Sequence, residues 1–236
     1  MSITLNGQLQ LSMLAEQLMD IPDSKMLMIN TDGLEIMIPR SEIDNYYKIC
    51  KSWELKTRLS LEYAVYNKLI ISNCNAYIGI FSDNKVKKKG AYVTEPELHK
   101  NHSKLVVPKA VENYYLTGQS IEEYIRNHKD IFDFFLRAKI KKDNRLLAVK
   151  DEIVIELQRI TRYLVTTDGY MLVKILSGDK QTAIDKGFLC TPCNYLDDSI
   201  IAELWKNINY DYYIEKANKL LIGDTSDETD SEEDEE

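Results

Sequence analysis

Lys25-Met26-Leu27-Met28-Ile29-Asn30-Thr31-Asp32-Gly33-Leu34-Glu35-Ile36-Met37-Ile38-Pro39 is the stretch that decides how the chain is read. Two short apolar runs flank Asp32-Gly33, the strongest short-range signal for a two-residue β-hairpin turn. With that pair as the turn, Thr31 opposes Leu34, Asn30 opposes Glu35 and Ile29 opposes Ile36. Both strands are then apolar on both faces near their bases and polar only at the tip. This is the pattern of a buried hairpin that pushes one carboxylate and one amide outward. The same pattern also fits a plain core hairpin whose Asp serves only the turn.

The elements around the hairpin follow from periodicity. Leu11, Leu14, Ala15 and Leu18 have helical spacing over about residues 7–20, and Pro22-Asp23 stops them. Ser41 with Asp44 resembles a capping box and opens a helix carrying Ile43, Tyr46, Tyr47, Ile49, Cys50 and Trp53. An extended region runs from Leu59 to about Ile80, a turn follows at Ser82-Asp83-Asn84-Lys85, and Val86 to Val93 returns as a strand. The polar segment Thr94 to Lys104 marks a domain boundary. Short helices are expected over Leu105–Leu116, Ser120–Asn127 and Ile131–Lys139, the second opened by the capping box Ser120-Ile121-Glu122-Glu123. Short β segments fill Arg145 to Tyr195, with a hairpin at Thr167-Asp168-Gly169 and a turn at Ser177-Gly178-Asp179. A last helix carries Tyr210, Tyr213, Ala217, Leu220 and Leu221. The class is α+β, with a mostly antiparallel sheet first and a mixed, mainly helical part after it.

Composition sets the setting. With 236 residues, 44% hydrophobic and 29% charged, the chain has the make-up of a soluble globular protein of one large or two small domains. No apolar run approaches the ~20 residues that span a bilayer, and the N-terminus lacks a signal-peptide pattern, so a cytoplasmic location without membrane contact is expected. The net charge of −8 is concentrated at one end: Asp224 to Glu236 holds nine acidic residues and no basic one. Taking these nine from 38 leaves 29 acidic against 30 basic, a near-neutral body on which local basic patches can still act. The tail has no apolar anchor and is expected to be disordered. Cys190-Thr191-Pro192-Cys193 has the spacing of a zinc half-site or redox pair. Two further ligands are not at hand in sequence, and incidental thiols, with Cys50 and Cys74, are the simpler reading.

Two basic segments carry chemistry. Lys85-Val86-Lys87-Lys88-Lys89-Gly90 puts Lys85, Lys87 and Lys89 on one strand face by the two-residue period. Like charges so aligned suit a polyanion backbone, or else guard a sheet edge against aggregation. The stretch Leu98-His99-Lys100-Asn101-His102-Ser103-Lys104-Leu105-Val106-Val107-Pro108-Lys109-Ala110 runs from a basic loop into an apolar helix.

Taken in order, these residues resemble the C-terminal part of a bacteriophage-type family B DNA polymerase. Asn30-Thr31-Asp32-Gly33 looks like the Asp-Thr-Asp-Ser hairpin of the palm's third motif, and Gly7 through Leu18 like the helix before it. Lys87-Lys88-Lys89-Gly90 looks like the Lys-Lys-Arg-Tyr element along the primer–template minor groove, and Leu59-Ser60-Leu61-Glu62-Tyr63 like the acidic strand between. His99 to Ala110 and Asn209 to Ile214 look like the start and end of a thumb. The resemblance covers about residues 3–222. It implies a palm end over 1–95, a thumb over 96–222 and an acidic tail over 223–236.

It further implies nucleotidyl transfer with two Mg²⁺ ions held by carboxylates. Asp32 is the expected metal ligand and catalytic residue, with Asn30 and Glu62 as weaker candidates. Lys87, Lys88, Lys89, Lys100, Lys104, Lys109, Arg137 and Lys139 are the candidate DNA contacts. The implied partners are primer–template DNA, a dNTP, and a second polypeptide carrying the exonuclease, the fingers and the first palm motif, all absent from this chain. Two departures stand out: Asn30 replaces a carboxylate, and Gly90 lies where Arg-Tyr is usual. The first of these leaves open a catalytically inactive, polymerase-derived DNA-binding protein, and an unrelated α+β scaffold with a recruiting tail is a further reading.

Overall fold

The computed structural model describes residues 2–97, 100–176 and 180–225. Its class is α+β, as the sequence predicts. The chain divides into two compact units, Met1–Asn67 and Lys68–Glu236.

The first unit holds α1 (Ser2–Met19), β1 (Lys25–Ile29), β2 (Leu34–Met37) and α2 (Ile43–Thr57). Its core joins Leu11, Leu14, Leu18 and Ile21 to Cys50 and Trp53 of α2, with Leu34, Ile36 and Ile38 packed from the hairpin. The two-residue alternation of those three puts one face of the second strand on the core. The Trp53 indole donates to the Gln10 carbonyl at 2.8 Å, so the buried ring keeps its N–H satisfied. The Ser41–Asp44 capping box does not form: Arg40–Glu42 is a 3-10 turn after Pro39, and α2 begins without a side-chain cap.

The hairpin register differs from the expected one. Ile29 pairs with Leu34 and Met28 with Glu35, with an irregularity between Met26 and Met28. The connection is the four-residue loop Asn30–Gly33, closed by the Asn30 N–H on the Gly33 carbonyl at 3.0 Å. The Asn30 side chain supplies the reason, because its Oδ1 accepts the Asp32 N–H at 3.3 Å, a local Asx turn that competes with the tighter two-residue turn. Nor is the hairpin buried on both faces. Leu27, Ile29 and Met37 are 44%, 45% and 49% exposed, and Met28 alone among the residues of these two strands is buried.

The second strand group comprises β3 (Tyr66–Asn73), which begins at the unit boundary, β4 (Ala76–Phe81) and β5 (Val86–Lys89), in the order β3-β4-β5. The turn at 82–85 is as expected, with Asn84 at φ 61° and Asp83 Oδ1 accepting the Lys85 N–H at 3.1 Å. β5 ends four residues before Val93, because Gly90 at φ 60° turns the chain into the 3-10 turn Gly90–Tyr92. A side chain at Gly90 would run into the Asn75 carbonyl, so this left-handed position calls for glycine.

The rest of the unit is α3 (Val106–Thr117), α4 (Ile121–Asn127), β6 (Leu136–Lys139), β7 (Arg145–Lys150), β8 (Ile153–Leu157), β9 (Ile160–Ile175), β10 (Gln181–Ala183), β11 (Leu189–Pro192), α5 (Asp198–Asn207) and α6 (Tyr210–Leu221). Ser120 caps α4 as predicted, its hydroxyl accepting the Glu123 N–H at 3.2 Å. Three expectations are corrected. Ile131–Lys139 is not a helix: a 3-10 turn, Ile131–Phe134, leads into β6, where Leu136 and Ala138 are buried and Arg137 and Lys139 face outward. Thr167-Asp168-Gly169 is not a hairpin turn but a stretch of β9, near which the pairing with β11 jumps from Val165 to Met171. A Cβ at Gly169 would lie 2.5 Å from the Cys190 carbonyl oxygen, so the glycine marks a close backbone approach rather than a reversal. Finally, the boundary near residue 95 does not separate two cores. Ala76, Ile78 and Tyr92 pack in one cluster with Val106, Val107, Ala110, Phe134, Leu164 and Tyr213.

The expected turn at Ser177-Gly178-Asp179, with Leu98, His99 and the acidic residues 226–236, lies outside the described residues. The chain end before them is ordered: Ser72 Oγ donates to the Gly223 carbonyl and lies 3.0 Å from Thr225 Oγ1.

β9 is the spine of a six-stranded sheet, pairing antiparallel with β6 and β11 in its first half and with β7 and β10 in its second. The fully buried Tyr213 locks that spine in place. Its hydroxyl donates to the Phe134 carbonyl at 2.7 Å and accepts the Val165 N–H at 3.1 Å. Tyr213→Phe leaves both backbone groups buried without their partner, and about 2–3 kcal/mol of stability should be lost in chemical denaturation, with the m-value unchanged.

Candidate nucleic-acid interface

The hairpin tip presents Asp32 on an exposed loop, while Asn30 is half-buried with its Oδ1 engaged by the Asp32 N–H. Glu62 is also exposed and lies on the irregular segment between α2 and β3. Among the described residues, no group of three or more His, Cys, Asp or Glu is placed to hold a metal ion. The tip therefore offers a single carboxylate, and these residues alone do not fit a two-Mg²⁺ site.

The lysine strand divides by face. Lys87 and Lys89 are exposed, and the Lys87 ammonium sits 5.8 Å from the centre of the Tyr77 ring. Lys88 points the other way and bonds both Glu112 carboxylate oxygens of α3 at 2.8 and 2.9 Å, with Thr94 Oγ1 as a third partner. Its expected DNA contact is corrected: this ammonium ties β5 to α3. Lys85 precedes the strand and is paired with Asp83 at 2.7 Å.

Lys109 is corrected in the same way. Its ammonium lies 2.7 Å from both oxygens of the buried Asp133, which also takes His128 Nε2 at 2.6 Å. Burial alone pushes the Asp133 carboxyl up, but the bonds from His128 and Lys109 overcome this and hold it below its ordinary value of 3.8. The His128 ring lies tilted against Tyr124 and edge-on to Phe134, so the group is packed against the aromatic side of the core.

The other thumb-side candidates do meet on one surface, apart from Lys100, which lies exposed on the loop before α3. The Ser103-Lys104 stretch is stitched to the start of β6: Ser103 Oγ accepts the Arg137 N–H at 3.0 Å, and the Lys104 N–H donates to the Phe135 carbonyl at 2.7 Å. β6 lies on β9 with Arg137 directly opposite Arg162 and Lys139 opposite Ile160. Facing residues on neighbouring strands have Cβ atoms ~5 Å apart, so the two guanidinium-bearing side chains stand side by side. The Ile140 N–H donates to the Arg159 carbonyl at 3.0 Å and extends the pairing. Exposed Lys141, Lys142 and Arg159 lie at this end, with Asp143 in the same turn.

Arg159, Arg162, Lys141 and Lys142 are exposed here in addition to the cations expected from the sequence. Charge density over 137–142 was a usable signal, but Arg162 joins it only through the β6–β9 register. The Cys-x-x-Cys spacing leads nowhere: Cys190 and Cys193 are buried free thiols facing the carbonyls of Phe188 and Tyr195. Among the described residues, no helix is long and apolar enough to cross a membrane. No protein-family model matches the chain, and no curated protein shows significant similarity to it.

Two outcomes follow from these contacts. For a polyanion held on this face, Arg162→Glu should weaken binding about tenfold near 0.1 M salt and flatten the salt dependence, with the thermal midpoint unchanged; fluorescence anisotropy with a labelled duplex over a salt series reads both. Asp133→Asn should cost about 3 kcal/mol at pH 7. The Asp133 carboxyl is held down in the folded chain, so its contribution is complete above the unfolded value and is lost as pH falls through the folded one. The stability gap between the two proteins should therefore narrow below about pH 4 in denaturation curves.

Proposed function

We propose that this chain is the C-terminal segment of a split DNA polymerase, holding primer–template DNA by its phosphates. One observation carries the reading: the basic face on which exposed Arg162 stands opposite half-buried Arg137, flanked by exposed Lys139, Lys141, Lys142 and Arg159. Exposed Lys87 and Lys89 on β5 supply a second basic strand in the same unit. Contacts of this kind grip the backbone without reading sequence. The resemblance to family B polymerases gives the face its substrate.

In this reading Asp32 is the one carboxylate that the chain adds to a site completed by another polypeptide, which brings the exonuclease, the fingers and the first palm motif. That partner also supplies the dNTP-binding residues and the other ligands for Mg²⁺. The exposed apolar side chains of the first unit, Leu5, Leu9 and Met13 on α1 and Leu27 and Ile29 on β1, are consistent with such a partner. The cytoplasm, or the host-cell cytoplasm for a viral gene, is the proposed location.

A second reading is favoured by one observation. The Asn30 amide replaces a carboxylate and serves the turn, as it would in a polymerase-derived protein that only binds DNA. Primer extension by the chain combined with a polypeptide carrying the missing motifs separates the two. Asp32→Ala should lower extension at least about a thousandfold while leaving duplex affinity intact. Equal extension by the two proteins refutes the metal role of Asp32; duplex binding without extension by either supports the second reading.

A further inference from the structure

β8 is an open edge of the six-stranded sheet: among the described residues it pairs with β7 alone. Its sequence, Ile153-Val154-Ile155-Glu156-Leu157, leaves Ile153, Val154 and Ile155 exposed. Sheet edges in water are ordinarily guarded by Lys or Pro. This strand carries neither, and its one charged residue, Glu156, is held by Arg145 of β7 at 2.6 and 3.2 Å. Lys150 faces Ile153 across the two-residue turn Asp151-Glu152, and such closing pairs are hydrogen-bonded. By alternation Ile155 and Leu157 also bond inward to β7, so the N–H and C=O of Val154 and Glu156 point to the open edge.

The edge is complementary to itself. A twofold axis relating two antiparallel edges stands perpendicular to the sheet and keeps each face on its own side, so it passes through one residue. With the axis at Ile155, one face sets Ile153 against Leu157 and Ile155 against its own copy, an unbroken apolar row. On the other face Val154 meets the stem of Glu156. At both ends exposed Asp151 meets exposed Arg159, and Glu152 meets Gln158. Neighbouring registers lose this match: an axis at Val154 sets Glu152 against Glu156, and one at Glu156 sets that carboxylate against itself.

We propose that two copies of this chain pair antiparallel along β8 about a twofold at Ile155, so that one sheet continues across the dimer. Val154 and Glu156 then exchange backbone hydrogen bonds with Glu156 and Val154 of the second copy, and two Asp151–Arg159 ion pairs fix the register. Residues 151–159 are few beside the roughly 20–30 a side of a standard interface, so the dimer is weak, with a dissociation constant on the order of 100 μM. The pairing involves no nucleic acid, and its test is independent of the polymerase reading.

Sedimentation velocity of the full chain from about 10 to 500 μM should show a reversible monomer–dimer equilibrium. Arg159→Glu, which faces Asp151 with a like charge at both ends, should weaken it about tenfold with the thermal midpoint unchanged. Disulfide formation reads the register, in a Cys74→Ser background that removes the exposed native thiol. Ile155→Cys places two thiols across the axis, within the ~4.4–6.8 Å Cα separation of a disulfide, and should cross-link as a dimer under mild oxidation. Val154→Cys leaves its two thiols a two-residue step apart, about 8 Å between Cα atoms, and should not. A monomer throughout the concentration range overturns the proposal, as does Val154→Cys cross-linking at the rate of Ile155→Cys. A dimer unmoved by Arg159→Glu overturns the register.

Discussion

The hydroxyl of Tyr213 is the constraint on which the second unit depends. It stands fully buried between the Phe134 carbonyl and the Val165 N–H, and so fixes the approach of α6 to both the start of β6 and the middle of β9. Phe134 packs edge-on against Tyr213 and also against Trp205 and Tyr210, so the polar link is set inside an aromatic cluster. Such a link leaves little room for slip, because a register change would bury unpaired backbone groups. The basic face inherits its geometry from this point. Arg137 meets Arg162 only in the register in which Leu136 faces Tyr163.

Two lysines of the second unit are drawn into its packing by the carboxylates that reach them. Lys88 and Lys109 meet Glu112 and Asp133 on elements packed against their own, and both pairs lie largely out of solvent. There the ammonium groups serve the fold, since losing one partner would strand a charge at low dielectric. Lys139, Lys141, Lys142, Arg159 and Arg162 remain on the surface. A strand of alternating faces makes this division sharp: Lys88 joins β5 to α3, while its neighbours Lys87 and Lys89 point to the other side.

The first unit places its one notable carboxylate differently. Asp32 rides on a loop closed by backbone hydrogen bonding and by its own N–H on Asn30, so the position of the carboxylate is set by main-chain geometry rather than by a charge partner. The Asn30 amide thus serves the loop and leaves Asp32 as the one carboxylate of the tip. Both consequences follow from one side chain.

Much of the secondary structure could be read from the chain itself, because it rests on local rules. The Leu11-Leu14-Leu18 stripe, the Ser120 cap, the turn at 82–85 and the Tyr210–Leu221 helix each carry their signal within a few residues. The α+β class and the basic character of the 137–142 stretch were legible for the same reason. What the sequence could not contain was pairing. The hairpin register turned on where the Asn30 side chain found a donor. Gly169 read as a turn because its close approach to Cys190 is a contact across 21 positions of chain. Whether a lysine faces a phosphate or a buried carboxylate depends on which helix packs beneath its strand. Local propensity determined the elements and their charges; only tertiary packing, through register and long-range hydrogen bonds, decided which charges meet.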